Sequence, residues 1–161
     1  MLRLQAYTQS LIDNLGLLPH PEGGYYKEIF RSVDNVDCAQ GQRNAITTIL
    51  YLLPKGVKSK LHKVRSDEIW NFIEGAPGIL HRISDDFRHD QLTLGQIDEN
   101  SFPVRVIKAH QWQAAESTGD YTLVSCAVGP GFDFKDFTML RDEKDIAQQI
   151  SQKFPSLLDF I

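Results

Sequence analysis

Apolar residues Leu4, Leu11, Ile12 and Leu15 recur at near-helical spacing over residues 4–15, with Tyr7 between them, and Gly16 follows as a C-terminal cap. The pattern predicts a short N-terminal helix. The six residues Pro19-His20-Pro21-Glu22-Gly23-Gly24 then suit neither helix nor strand. From Tyr25 the period changes. Short β-branched or aromatic runs alternate with turn residues, predicting strands at 25–31, 45–53, 59–63, 67–74, 78–83, 91–94, 104–108, 111–115 and 121–128. Turn signals separate them, among them Pro54-Lys55-Gly56, Gly75-Ala76-Pro77-Gly78 and Asp98-Glu99-Asn100. Many short strands at this spacing predict an all-β sandwich or barrel. Phe132, Phe134 and Phe137 either alternate along a further strand or pack together as an apolar clasp. Residues 142–152 read as a helix, with Ile146 and Ile150 four apart, and Phe154-Pro155 opens a last apolar segment ending at Ile161. No repeat, low-complexity stretch or linker interrupts the chain. One domain over 1–161 is expected, with a barrel core at about 24–138 and a helical tail at about 141–161.

Composition narrows the function classes. The 161 residues are 42% hydrophobic and 24% charged, ordinary for a globular protein with a real core. The net charge is −4, with 17 basic and 21 acidic residues interspersed, so nucleic acid is not the expected partner. No apolar stretch has the length of a signal sequence or a membrane span, which predicts a cytoplasmic protein with no membrane partner. Cys38 and Cys126 form no Cys-x-x-Cys pair and read as free thiols in a reducing compartment.

The chemistry concentrates between Gly56 and Gly75. His62 lies near the end of one predicted strand and Glu68 at the start of the next. A tight turn between them would bring both side chains together across a hairpin. Strand alternation puts Glu68, Trp70 and Phe72 on one face, a carboxylate with two aromatic rings, as in the wall of a pocket inside a barrel. Glu68 beside His62 would fix the imidazole tautomer and raise its basicity, the minimum equipment for proton transfer. Asp67 reads as a turn or capping residue. Tyr26 and Arg31 are candidate ligand contacts, or else members of an edge strand at a subunit contact. His20, His81, His89 and His110 have no partner at metal-ligand spacing and read as surface residues.

The same stretch resembles the first cupin motif: Gly, five residues, His-x-His, three or four residues, Glu, six residues, Gly. Gly56, His62, Glu68 and Gly75 fall at those spacings, with Val64 at the second histidine. The second motif, Pro-x-Gly-x-x-His, is matched only by 108–113, which puts Gln113 at the histidine and Trp112 facing away from it. The surrounding wording resembles one branch, the cupin-5 or DUF985 family. It includes Pro21-Glu22-Gly23-Gly24-Tyr25-Tyr26, Arg31-Ser32, Asp67-Glu68-Ile69-Trp70, Trp112-Gln113-Ala114-Ala115 and Pro130-Gly131-Phe132-Asp133-Phe134. The resemblance implies a cupin double-stranded β-helix, a jelly-roll barrel with short N- and C-terminal helices, enclosing a pocket. It also implies a homodimer, but no particular reaction.

Three functions follow from these readings. The first is metal-independent acid–base chemistry on a small polar molecule, resembling the cupin-fold sugar epimerases. His62 would be the base, Glu68 its partner, and Tyr26, Tyr51 or Tyr121 the acid, with Trp70, Phe72, Gln113, Tyr26 and Arg31 as ligand contacts. The second is a metalloenzyme holding a divalent transition metal with His62, Glu68 and Gln113, where a catalytic site usually has three sound protein ligands. The third is a non-catalytic small-ligand-binding protein.

Overall fold

The amphipathic N-terminal segment forms helix α1 (Leu2–Leu15), and Gly16 follows with φ +64°, the left-handed conformation of a glycine helix stop. The computed structural model describes residues 2–161. The strands in chain order are β1 (Leu18–Pro19), β2 (Tyr25–Arg31), β3 (Asn35–Cys38), β4 (Gly41–Asn44), β5 (Thr47–Pro54), β6 (Lys58–Val64) and β7 (Asp67–Gly75). They continue with β8 (Gly78–Ile83), β9 (His89–Leu94), β10 (Ser101–Phe102), β11 (Val104–Ile107), β12 (Trp112–Ser117), β13 (Tyr121–Gly129) and β14 (Phe137–Met139). Helix α2 (Lys144–Lys153) and a 3₁₀ turn at Pro155–Phe160 close the chain.

One six-stranded sheet has the order β1-β2-β5-β13-β7-β11, and the other β10-β9-β8-β12-β6-β14. Pairing is antiparallel except between the two-residue β10 and β9. Both sheets contribute to one interior: Tyr51, Trp70, Val124 and Cys126 from the first meet Leu80, Leu94 and Ala115 from the second. Each sheet also has a covered outer face. Leu11, Ile12 and Leu15 of α1 pack over Leu52 and Leu123. Ile150, Leu157 and Phe160 of the C-terminal tail pack over Leu61, Ile83, Trp112 and Ala114. This explains why 49–53 is apolar at every position: Tyr51 and Leu53 point into the barrel while Leu52 points out under α1.

The all-β reading holds, and two local expectations need correction. The β3–β4 hairpin falls between the predicted strands at 25–31 and 45–53, where no strand was expected, because its residues are largely polar and exposed and carry no hydrophobic period. His62 and Glu68 do not face each other across a hairpin. Strand β6 pairs with β12 and β14, and β7 pairs with β11 and β13, so the chain changes sheets at Arg65-Ser66. The two side chains meet from opposite sheets, as walls of one cavity. Of the two readings for the phenylalanines, the clasp is the one found. Phe132, Phe134 and Phe137 pack edge to face with centroids 5.0–6.1 Å apart, Phe134 in a 3₁₀ turn and Phe137 opening β14.

Candidate functional site

The interior opens at one end into a cavity of about 310 Å³. Its polar lining includes His20, Glu22, His62 and Glu68, and its apolar lining includes Trp70 and the phenylalanine clasp. His62, on β6, is 2% exposed. Its Nδ1 lies 2.8 Å from the Lys60 carbonyl oxygen and 3.1 Å from Glu22 Oε2. The Lys60 carbonyl can only accept, so Nδ1 carries the proton and Nε2 keeps the lone pair. Burial pushes the imidazole below its usual pKa, against the pull of the Glu68 charge, so the ring is held neutral at pH 7. Phe137 stacks on it at 5.2 Å.

Glu22 owes its position to the glycines after it. Gly23 has φ +110°, and a Cβ there would sit 2.5 Å from the Lys58 carbonyl oxygen. Only glycine lets the loop come this close to β6, where the Lys60 N–H donates to the Glu22 carbonyl. The Glu22 carboxylate accepts from Ser59 Oγ at 3.1 Å and lies 3.5 Å from His20 Nδ1. Glu68 accepts from Gln113 Nε2, and Gln113 Oε1 accepts from the Trp70 indole at 3.0 Å. Burial raises both carboxyls above their ordinary value, and at Glu68 the charge of Glu22 adds to the rise while that of His62 opposes it.

The predicted residues distribute as follows. His62, Glu68, Trp70, Tyr26 and Arg31 all line the cavity. Phe72 does not; it packs against the barrel core. Gln113 sits behind the wall, bonded to Trp70 and Glu68 rather than presented to a ligand. Trp112 packs outward under the C-terminal tail, and Asp67 accepts the Ala109 N–H, both as expected. Of the candidate acids, Tyr51 donates to the Gly23 carbonyl at 2.7 Å. Tyr121 bonds Glu74 and packs with Tyr7 away from the cavity, which leaves Tyr26.

The expected metal set does not fit. Val64 places an apolar side chain at the second histidine position, and both amide ends of Gln113 are engaged within the wall. Among the described residues no three His, Cys, Asp or Glu side chains are grouped to hold a metal ion.

Two residues that count here were not expected. His20 lines the cavity, edge-on to Tyr26 at 4.6 Å, instead of lying on the surface. Glu22 was expected only as part of a structural break and of the family's wording, with no role in the site. His81 is also buried, against the surface reading, with Nδ1 3.0 Å from His89 Nε2 and its ring under Phe160. His110 is exposed as expected.

Burial, with His89 and Lys58 adding to it, lowers the His81 pKa to about 4. Glu116 Oε1, 3.8 Å from Nε2, is the nearest carboxylate. In the unfolded chain His81 binds a proton below about pH 6.5, while in the fold it does so only near pH 4. Its contribution to stability is therefore complete above pH 6.5 and falls by at most about 3 kcal/mol toward pH 4. Melting curves between pH 7 and 4.5 should fall more steeply for the parent than for His81→Gln. Parallel curves would refute the assignment.

The two facing sheets, outer helices and enclosed cavity define a cupin-fold protein. The chain belongs to the Cupin superfamily (DUF985) family, whose model matches residues 9–140. It is 28% identical to the uncharacterized protein YML079W of Saccharomyces cerevisiae, over 95% of this chain and 85% of that one. A hypothetical protein from Leishmania major superposes with TM-score 0.82 at 30% identity, covering 94% of this chain and 95% of that chain. Protein SO0799 from Shewanella oneidensis gives TM-score 0.76 at 29% identity, covering 81% and 82%. No helix among the described residues is long and apolar enough to cross a membrane.

Proposed function

We propose that the cavity binds a small polar molecule and moves a proton on it, in epimerase- or isomerase-like chemistry, with His62 as the base. The observation that carries this is the pair of groups on His62 Nδ1, the Lys60 carbonyl that accepts from it and the Glu22 carboxyl beside it. They leave a neutral ring whose Nε2 lone pair is available, in a cavity that already holds two carboxyls. A positioned base of this kind contributes roughly 10²–10⁴-fold to a rate. Glu68, with its raised pKa, is suited to carry or return a proton, and Glu22 acts as a positioning residue that holds the ring. Tyr26 is the tyrosine placed to serve as an acid. The test needs no named substrate. A metabolite mixture is incubated with the protein in D₂O and searched by mass spectrometry for a compound that gains one deuterium. Deuterium gain with the parent, lost with His62→Gln, is expected. Equal gain with His62→Gln, or none with the parent, sinks the reading.

We further propose that the chain forms a homodimer in the cytoplasm. Only Tyr25 and Tyr26 of β2 pair with β1, which leaves 27–31 as an open strand edge, and Ile29, Phe30 and Val33 nearby are exposed. Cys38 and Cys126 are both free, as suits a reducing compartment. Light scattering at micromolar concentration should give twice the chain mass; one chain mass refutes the dimer.

A further inference from the structure

We propose that the cavity selects a small organic cation, a primary amine, over anions and over neutral molecules of the same shape. This deepens the reading of the cavity as a ligand site and rests on it.

The argument is one of charge and wall chemistry. Four carboxyl side chains line the cavity: Glu22, Glu28, Glu68 and Asp133. Among the described residues Arg31 is the only Lys or Arg in that lining. Its cationic fork is already committed. Nε and Nη2 donate to the two oxygens of Glu28 at 2.9 and 2.6 Å, and Nη1 donates to Asn44 Oδ1 at 2.9 Å and to the Phe132 carbonyl at 3.1 Å. Four of the five guanidinium N–H groups are thus engaged. A carboxylate or phosphate entering the cavity would find no free cation to meet it, and would lie among groups of its own sign.

An ammonium finds the opposite. Glu22 and Glu68 are 5% and 7% exposed; Glu22 is held against β6 of one sheet and Glu68 stands on β7 of the other. A cation between them relieves their repulsion and donates a charge-assisted hydrogen bond to each carboxyl. The remaining walls are Trp70, Tyr26 and the three clasp phenylalanines, whose ring faces attract a cation. That aromatic lining and a volume of about 310 Å³ fit an organic ammonium and add nothing for a bare metal ion. Primary amines are favoured over quaternary ones because the two carboxyls need N–H donors.

The chain's two tryptophans supply the readout. Trp70 lines the cavity and Trp112 lies outside the barrel under the C-terminal tail, an internal control. The ¹⁵N-labelled full chain is titrated at pH 7, with a chelator present, using benzylamine, benzyl alcohol and benzoate, which differ at one group. Benzylamine should shift the Trp70 indole signal and not that of Trp112. Its dissociation constant should be at least about 10-fold below that of benzyl alcohol, as loss of a hydrogen bond to a charged group implies. Benzoate should produce no shift. In Glu68→Gln the preference for the amine over the alcohol should drop several-fold. Benzoate binding as well as the amine overturns the inference while leaving the cavity a ligand site, and so does equal binding of amine and alcohol. Failure of all three probes to move Trp70 overturns both. Zn²⁺ moving Trp70 in a chelator-free sample, where benzylamine does not, assigns the carboxyls to a metal and overturns the inference as well.

Discussion

Replacing Glu68 with Gln is expected to remove at least about 10²-fold of any proton-transfer activity while leaving the melting temperature unchanged or raising it. The opposed signs follow from the geometry. The Glu68 carboxyl is buried, and its raised pKa means that its ionised form costs stability at neutral pH. Gln has the same shape and can still accept from Gln113 Nε2, so the wall of Glu68, Gln113 and Trp70 keeps its hydrogen bonds. What is lost is a group able to exchange a proton with the ligand. The sign has a pH signature. Glu68 favours the fold when protonated, so the parent should gain on the variant as pH falls through the carboxyl's folded pKa, and lag behind it above. Differential scanning calorimetry at pH 5 and pH 8 checks this. A variant that melts well below the parent at both values would make Glu68 a structural residue.

Phe160→Ala, in the 3₁₀ turn at Pro155–Phe160, is expected to cost about 3 kcal/mol, the low end for a buried phenylalanine. Phe160 is 2% exposed. It packs on His81 at 4.5 Å, lies under Lys58 Nζ at 4.5 Å and closes the cluster containing Leu61, Ile83 and Trp112. For a protein of this size the loss corresponds to a melting temperature lower by roughly 6–12 °C. Opening that site to water should also let the His81 pKa rise toward its ordinary 6.5, flattening the acid-side loss of stability. A shift below about 2 °C would mean that the tail does not hold the sheet.

The barrel was legible because its strands have short, well-punctuated apolar runs, and because Gly56, His62, Glu68 and Gly75 keep a spacing that a motif can carry. The assignment of His62 and Glu68 to one strand pair was not legible. Periodicity gives each strand its two faces but does not say which sheet the strand joins, and here a two-residue turn leads between sheets. Phe72 shows the same limit. It alternates correctly with Glu68 and Trp70, yet the cavity ends before it and core packing takes over. Glu22 was within reach. It sits in the quoted Pro-Glu-Gly-Gly stretch, and a carboxylate followed by two glycines signals a backbone approaching something closely. Reading the segment as a breaker and as family wording, but not as chemistry, hid the residue beside His62. His81 was missed because burial under Phe160 depends on where the C-terminal tail docks, which no local pattern reveals.

The central claim is that His62 is a neutral base with its proton on Nδ1, and it is tested most directly by long-range ¹H–¹⁵N correlation spectra of the imidazole at pH 7, with His62→Gln to assign the signal. The account predicts a neutral ring protonated at Nδ1, as the Lys60 carbonyl and Glu22 require, shifting toward the other tautomer or a mixture in Glu22→Gln. A ring protonated at Nε2, or doubly protonated at pH 7, would leave Nε2 without the lone pair the proposed chemistry uses and would contradict the account.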